Sequence, residues 1–458
     1  MDKNINAQTK RYKPSKYNFF FQAEDGSHLA YNAISGGFAK IDNEKFPVIY
    51  KTLQAEDIMS DTVLSQEVWN KLVEGGFIIE SEIDEIDLLK VKNRMERFNA
   101  NQSLSLTILP TFACNFQCIY CYEVKRNESM DWDLQTRLVK LVEGGGDILR
   151  FLHITWMGGE PLLGLRTIEF LSSKFLDICA KKGIKYSAGM ITNGYLLTSE
   201  IFEMLSSKLL VKNFQITIDG PREVHDVRRP LKNGKGSFSK ILSNLRNIAH
   251  SLPADVEMII RVNLDKTNVL TGMELIDILF EEGLSSKISL MPARVDAATP
   301  ICRDVSESCI SSSTFYKNYQ LKFINKSINK GFRFKIYPRL VGSSCMADRI
   351  NAYVIAPDGY LYKCWNEVGI ETESIGFIDD RGKIKHNNKM VKWLAYDPFE
   401  IIKCIRCKIF PLCGGGCPYK RKQRIAEICV SWKYNLKEML NLFYRCQQKG
   451  GDKNEVPK

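Results

Sequence analysis

From Leu104 onward the chain alternates short apolar runs with longer stretches whose apolar residues recur every three or four positions. The runs SLTILP, RFLHITWM, KYSAGMIT, FQITID, VEMIIRVN and KISLMP have the length and composition of buried strands. Between them LRTIEFLSSKFLDICAKKG, TSEIFEMLSS, SFSKILSNLRNIAH and TGMELIDILFEEG carry the helical period. Such alternation predicts repeated βα units around a parallel sheet, and six units make a partial TIM-like (βα)6 barrel, short of the full eight.

The flanks read differently. Residues 15–97 hold strand-like NFFFQ and HLAYNAIS, a helical VLSQEVWNKLVEGGFII and the charged helix IDEIDLLKVKNRMERFN, which together predict a small α+β module with a linker helix. Past Pro338 helical periodicity gives way to closely spaced turn residues and cysteines, the pattern of a small fold held by metal rather than by a large core. Residues 1–14 and 447–458 are polar and aperiodic and are expected to be disordered tails. The expected division is therefore a module at 15–97, a barrel at 98–335 and a cysteine-rich domain at 336–446.

Composition adds three constraints. A chain of 458 residues with 44% hydrophobic content has apolar material for a core in each region. It shows no signal-peptide pattern and no apolar run of membrane-spanning length, so we expect a cytoplasmic protein without a membrane partner. In that compartment fourteen cysteines stay reduced, which points to metal or cluster ligation rather than disulfides. The net charge of +11 is scattered apart from modest clusters such as Tyr419–Arg424, and cluster thiolates would offset part of it, so we read a solvated basic surface and no nucleic-acid partner.

The stretch TFACNFQCIYCYE sets Cys114, Cys118 and Cys121 on one short length of chain. Three thiols this close suit three corners of a four-iron cluster with the fourth iron open. Zinc is the alternative, but a structural zinc site closes with a fourth Cys or His, and the next histidine is His153.

This CxxxCxxC after the first barrel strand, with Tyr120 before its last cysteine, resembles the signature of the radical S-adenosylmethionine (radical SAM) superfamily. The resemblance continues in Met157-Gly158-Gly159-Glu160-Pro161, Thr192-Asn193-Gly194, Asp219-Gly220-Pro221 and Arg261-Val262-Asn263, each at the C-terminal end of a successive expected strand, where barrel enzymes assemble their sites. It implies that Cys114, Cys118 and Cys121 hold a 4Fe-4S cluster whose open iron binds SAM. It further implies that Gly158, Gly159 and Glu160 meet the methionyl amino group, and that Tyr120, Thr192, Asn193, Asp219, Arg261 and Asn263 line the SAM cleft. The implied chemistry is reductive cleavage of SAM to a 5'-deoxyadenosyl radical that abstracts hydrogen from an unactivated carbon. The glycines are expected to let the backbone approach a ligand.

The C-terminal spacing Cys345-x13-Gly359-x4-Cys364, then Cys404-x2-Cys407-x5-Cys413-x3-Cys417 and Cys429, is similar to the SPASM extension of radical SAM enzymes that mature peptides and proteins. That resemblance implies two auxiliary 4Fe-4S clusters, three clusters in all. Cys345, Cys364 and Cys417 would hold the first; Cys404, Cys407, Cys413 and Cys429 the second, with Cys446 as an alternative to Cys429. Two zinc ions are the competing reading. No additional cysteine lies a few residues ahead of Cys345, so the first auxiliary cluster is expected to have an open iron unless Cys302 or Cys309 closes it. Either of these could instead donate hydrogen to a substrate radical or be an ordinary free thiol, the reading we also give Cys179 on its apolar helix face.

The N-terminal module is similar to the winged-helix domains that capture leader peptides by strand addition; a structural cap on the barrel is the alternative. The expected function is maturation of a ribosomally synthesised (RiPP) precursor peptide by thioether or C-C cross-link formation, with a reducing partner such as flavodoxin or ferredoxin. Sulfatase maturation, peptide epimerisation, and a non-catalytic iron-sulfur or zinc protein that binds peptide are the alternatives.

Overall fold

In the computed structural model the described residues are 11–58, 64–98, 102–343 and 345–448. The N-terminal part is built from β1 (Tyr12–Pro14), β2 (Asn18–Gln22), β3 (His28–Asn32), β4 (Phe38–Ile41), α1 (Phe46–Thr52), α2 (Gln66–Glu74), β5 (Ile78–Glu80) and α3 (Glu85–Phe98). β2, β3 and β4 form an antiparallel sheet, and β1 pairs with β5. The expected N-terminal tail is thus corrected: residues 12–14 are a strand, because Lys13 and its neighbours find ladder partners at 78–80, while residues 1–10 lie outside the described residues. At the other end the helix Trp432–Gln448 runs two residues into the expected tail, and 449–458 lie outside the described residues.

The six expected barrel strands form as β6 (Ser103–Ile108), β7 (Phe151–Trp156), β8 (Lys185–Thr192), β9 (Val211–Thr217), β10 (Glu257–Leu264) and β11 (Ser289–Arg294), all parallel and adjacent in sequence order. Side chains such as Ile108, Ile154, Phe214 and Ile260 are sealed from water, so every strand is packed under helices. Those helices are α4 (Trp132–Glu143), α5 (Leu165–Lys182), α6 (Ser199–Glu203), α7 (Arg222–Arg228), α8 (Phe238–His250) and α9 (Glu274–Glu281). Local chemistry sets their ends. Asp131 accepts from the Leu134 amide at 2.8 Å to cap α4, and α5 stops at Gly183 with φ 66°, a left-handed conformation suited to glycine.

The cysteine-rich region continues the barrel sheet. β12 (Ala352–Ile355) lies parallel to β6, pairing Ala352 with Ser105 and Ile355 with Ile108. β13 (Tyr360–Tyr362), β14 (Gly376–Ile378) and β15 (Ile384–His386) follow in antiparallel order, giving one ten-stranded sheet. AYVI and YLY are too short and too enclosed by turns for periodicity to single them out.

Helix α3 joins the N-terminal part to this region. Its buried face is Glu85, Leu89, Asn93 and Arg97. Glu85 accepts from Ser15 Oγ (2.5 Å), Asn93 Nδ2 donates to the Gly342 carbonyl (2.5 Å), and Arg97 donates to the carbonyls of Asp348 (3.1 Å) and Leu394 (3.0 Å). Arg97 Nε is also 3.7 Å from the Asp348 carboxylate, with both side chains buried. Removing one partner strands the other without water, so Arg97→Ala is expected to lower stability by about 3–5 kcal/mol in urea unfolding.

Candidate active site

The loop after β6 that carries Cys114, Cys118 and Cys121 has no ladder of its own, and its place is set by backbone bonds to other loops. Gln117 and Ile119 amides donate to the carbonyls of Pro230 (2.9 Å), just past α7, and Arg228 (3.1 Å), its last residue. From the turn after β7, the Glu160 amide donates to the Ala113 carbonyl (2.9 Å) and the Gly159 amide to that of Thr111 (3.3 Å). Glycine is required here for a reason other than the expected one. A Cβ on Gly159 would stand 2.3 Å from the Ala113 carbonyl oxygen and 2.4 Å from that of Phe112; one on Gly158, at φ 135°, would stand 2.6 Å from that of Thr111. What these glycines approach is the cysteine loop itself.

The three thiols are partly buried and free of disulfides. Burial pushes Cys114 up to about 12 and Cys121 to about 11, and raises Cys118, so in the metal-free chain they hold protons that a metal must displace. Among the described residues no three His, Cys, Asp or Glu side chains converge as they would around one ion, a convergence that a cube of four irons, unlike a single zinc, does not require.

Glu160, expected at the SAM amino group, is sealed from solvent and its carboxylate is occupied. Oε1 accepts from Thr192 Oγ1 (2.7 Å) and the Leu162 amide (3.1 Å), and Oε2 accepts from the Asn193 amide (2.8 Å). It therefore locks the turn after β7 to Thr192-Asn193-Gly194 after β8. Asn193 extends the lock by donating to Asn115 Oδ1 within the cysteine loop (2.7 Å).

Tyr120 centres a second network. Its hydroxyl donates to Asp219 Oδ2 (2.5 Å) and accepts from Arg229 (2.7 Å) and Asn263 Nδ2 (3.1 Å). Asp219 Oδ1 accepts from the Asn263 amide (3.1 Å), and Arg261 Nε donates to Asn263 Oδ1 (2.8 Å). Tyr120, Asp219, Arg261 and Asn263 are thus gathered in one hydrogen-bond network. Arg228, Arg229 and Asp265 belong to the same network and were not singled out from the sequence; the signal was an Arg-Arg-Pro run following Asp219-Gly220-Pro221.

Glu123 lies beside the cysteine loop, and burial together with the Glu160 charge pushes its carboxyl up to about 8.

The C-terminal cysteines carry no disulfide among the described residues. Burial, and after it Glu367, Cys345 and Cys417, push the Cys364 thiol well up, so these side chains are neighbours. Cys413 is pushed up to about 11, first by burial and further by Cys429 and Cys404. Arg421 donates to Cys404 Sγ (2.9 Å), and Lys433 Nζ lies 3.5 Å from Cys407 Sγ. Cys446 packs instead with Ile324, Ile336 and Phe443. Cys302 is buried against Thr299 Oγ1 (3.1 Å), near Tyr419 and on the Cys364 side. Cys309 is half-buried and lines a cavity of about 680 Å³ with Thr267 and Tyr319. Cys179 is buried on the apolar face of α5, as read.

The sequence model described as the radical SAM superfamily matches residues 108–268. A curated relative from Paramaledivibacter caminithermalis, called radical SAM cyclopropyl synthase TigE, is 21% identical over 449 residues, covering 88% of this chain and 89% of its own. A cysteine-type anaerobic sulfatase-maturating enzyme of Clostridium novyi is 25% identical over 69% of this chain and 88% of its own. Among solved structures, native anSMEcpe with bound AdoMet and Kp18Cys peptide shares the fold at TM-score 0.58 and 20% identity, over 75% of this chain and 99% of that one.

Two measurements probe these networks. Tyr120→Phe leaves Arg229 and Asn263 donors without their acceptor and is expected to cost about 1–3 kcal/mol in urea unfolding of the metal-free chain. The folded chain holds the Glu123 proton to about pH 8, whereas an unfolded glutamate releases it near 4.5. The folded state therefore binds more protons in that window, and this group's contribution to stability is lost as pH rises through it. Glu123→Gln is expected to make the fall in stability from pH 5 to pH 8 shallower in the same assay.

Proposed function

We propose that this chain, which carries a radical SAM domain, is a peptide maturase that uses SAM at the Cys114–Cys121 loop to modify a ribosomally made precursor. The observation that carries the reading is the interlocking of that loop with Glu160, Thr192, Asn193, Asp219 and Asn263, all at the same end of the barrel strands. In this reading Cys114, Cys118 and Cys121 hold the SAM-binding 4Fe-4S cluster. Cys345, Cys364 and Cys417 hold a first auxiliary cluster, and Cys404, Cys407, Cys413 and Cys429 a second. When bound, reduced cluster and SAM supply a 5'-deoxyadenosyl radical that removes hydrogen from carbon.

The chain's own residues position that chemistry. The donor set of three thiols without a fourth Cys or His nearby fits a cluster with one open iron. The Tyr120–Asp219–Asn263 network and the Glu160 lock, built on the buried side chains of Glu160, Asp219 and Asn263, fix the walls of the cleft. The N-terminal module is read as the leader-binding element and a flavodoxin or ferredoxin as the electron donor.

A peptide substrate is supported by the relatives. The sulfatase-maturating enzyme acts on a protein by its name, and the anSMEcpe structure holds a peptide.

Incubated anaerobically with SAM and dithionite, the protein is expected to form 5'-deoxyadenosine, and Cys118→Ala to reduce that to background; undiminished cleavage by the variant would refute the reading. Co-expression with a peptide encoded beside the gene, in deuterated water, then sorts the outcome by mass. Loss of a hydrogen pair marks a cross-link, and gain of solvent deuterium without it marks epimerisation.

A further inference from the structure

Arg229 is a buried cation linked to the Asp219 carboxylate through the Tyr120 hydroxyl. It is 7% exposed, and its guanidinium lies over the rings of Phe116 (5.6 Å) and Tyr120 (6.0 Å) in the cysteine loop. One terminal nitrogen donates to the Tyr120 hydroxyl, while the buried Nε–H has no hydrogen-bond partner. Among the described residues it makes no ion pair with a carboxylate. Its neighbour Arg228 does the opposite, lying 2.8 Å from Asp265 and 3.4 Å from Asp219.

A guanidinium taken out of water with an idle N–H costs free energy unless an anion meets it. Burial opposes its charge, while Cys118, Tyr120 and Asp219, in that order, favour it. Lys125, the other cation acting on Cys118, is exposed, so solvent screens it.

We propose that Arg229 is the fixed counter-charge of the cluster held by the Cys114–Cys121 loop, its Nε–H serving the sulfur on the Cys118 side, and that it thereby eases the cluster's one-electron reduction. The inference rests on the cluster assignment above. Adding an electron deepens the negative charge of a thiolate-bound cluster, so a buried cation beside it stabilises the reduced state more than the oxidised one. Arginine suits the task because it cannot lose its proton to the thiolates and offers several donors in a rigid plane. Arg229 acts here as a positioning residue, through the cluster.

The test is an anaerobic redox titration of the full-length holoprotein, followed by the EPR signal that SAM addition perturbs. Arg229→Met, similar in length but uncharged, is expected to keep its circular dichroism and iron content and to shift the midpoint to lower potential. Arg229→Lys is expected to restore most of that shift. An unchanged midpoint in Arg229→Met would overturn the proposal. Should Arg229→Met fold but lose the cluster, recovery of the cluster in Arg229→Lys supports a role for charge; loss in both folded variants overturns it in favour of shape. Persistence of the SAM-perturbed signal in Cys118→Ala would instead overturn the cluster assignment itself, separating that failure from the failure of Arg229.

Discussion

The site depends on how closely two backbones approach. The turn after β7 passes so near the cysteine loop that neither Gly158 nor Gly159 has room for a Cβ, and the Gly159 and Glu160 amides bond to the loop's carbonyls across that gap. With no secondary structure of its own, the loop takes its shape from this contact and from the amide bonds to residues 228 and 230. The side-chain networks build on it. Glu160 is placed to tie down Thr192 and Asn193, and Tyr120 is placed to reach Asp219 and Asn263. A single steric constraint thus registers segments following four strands to one another.

Much of this was legible in the sequence because it rests on strong local patterns. Six apolar runs of strand length became six parallel strands, and their order followed from the requirement that consecutive βα units lie side by side. The residue motifs fell at the strand ends because turns there need glycine and polar side chains.

What was hidden is non-local. That Glu160 is saturated by Thr192 and Asn193 follows from the folding of two turns onto each other, not from its neighbours in sequence. Arg228 and Arg229 are adjacent and both guanidiniums lie over the Tyr120 ring, yet among the described residues only Arg228, the last residue of α7, pairs with carboxylates. The strands at 352–355 and 360–362 escaped notice because a strand of three or four residues carries too few positions for a period. Their stability comes from the edge they join rather than from their own composition.

That edge has a consequence for how the chain can be divided. β6 begins the barrel and carries the cysteine loop at its end, and one side of its backbone is satisfied only by β12, some 250 residues later. A fragment ending at the close of the barrel would leave the amides and carbonyls of β6 open along the strand that aims the loop, a template for pairing with other chains. Barrel and cysteine-rich region therefore share one sheet, and the outer partner of β6 exists only once the chain has been made through Ile355.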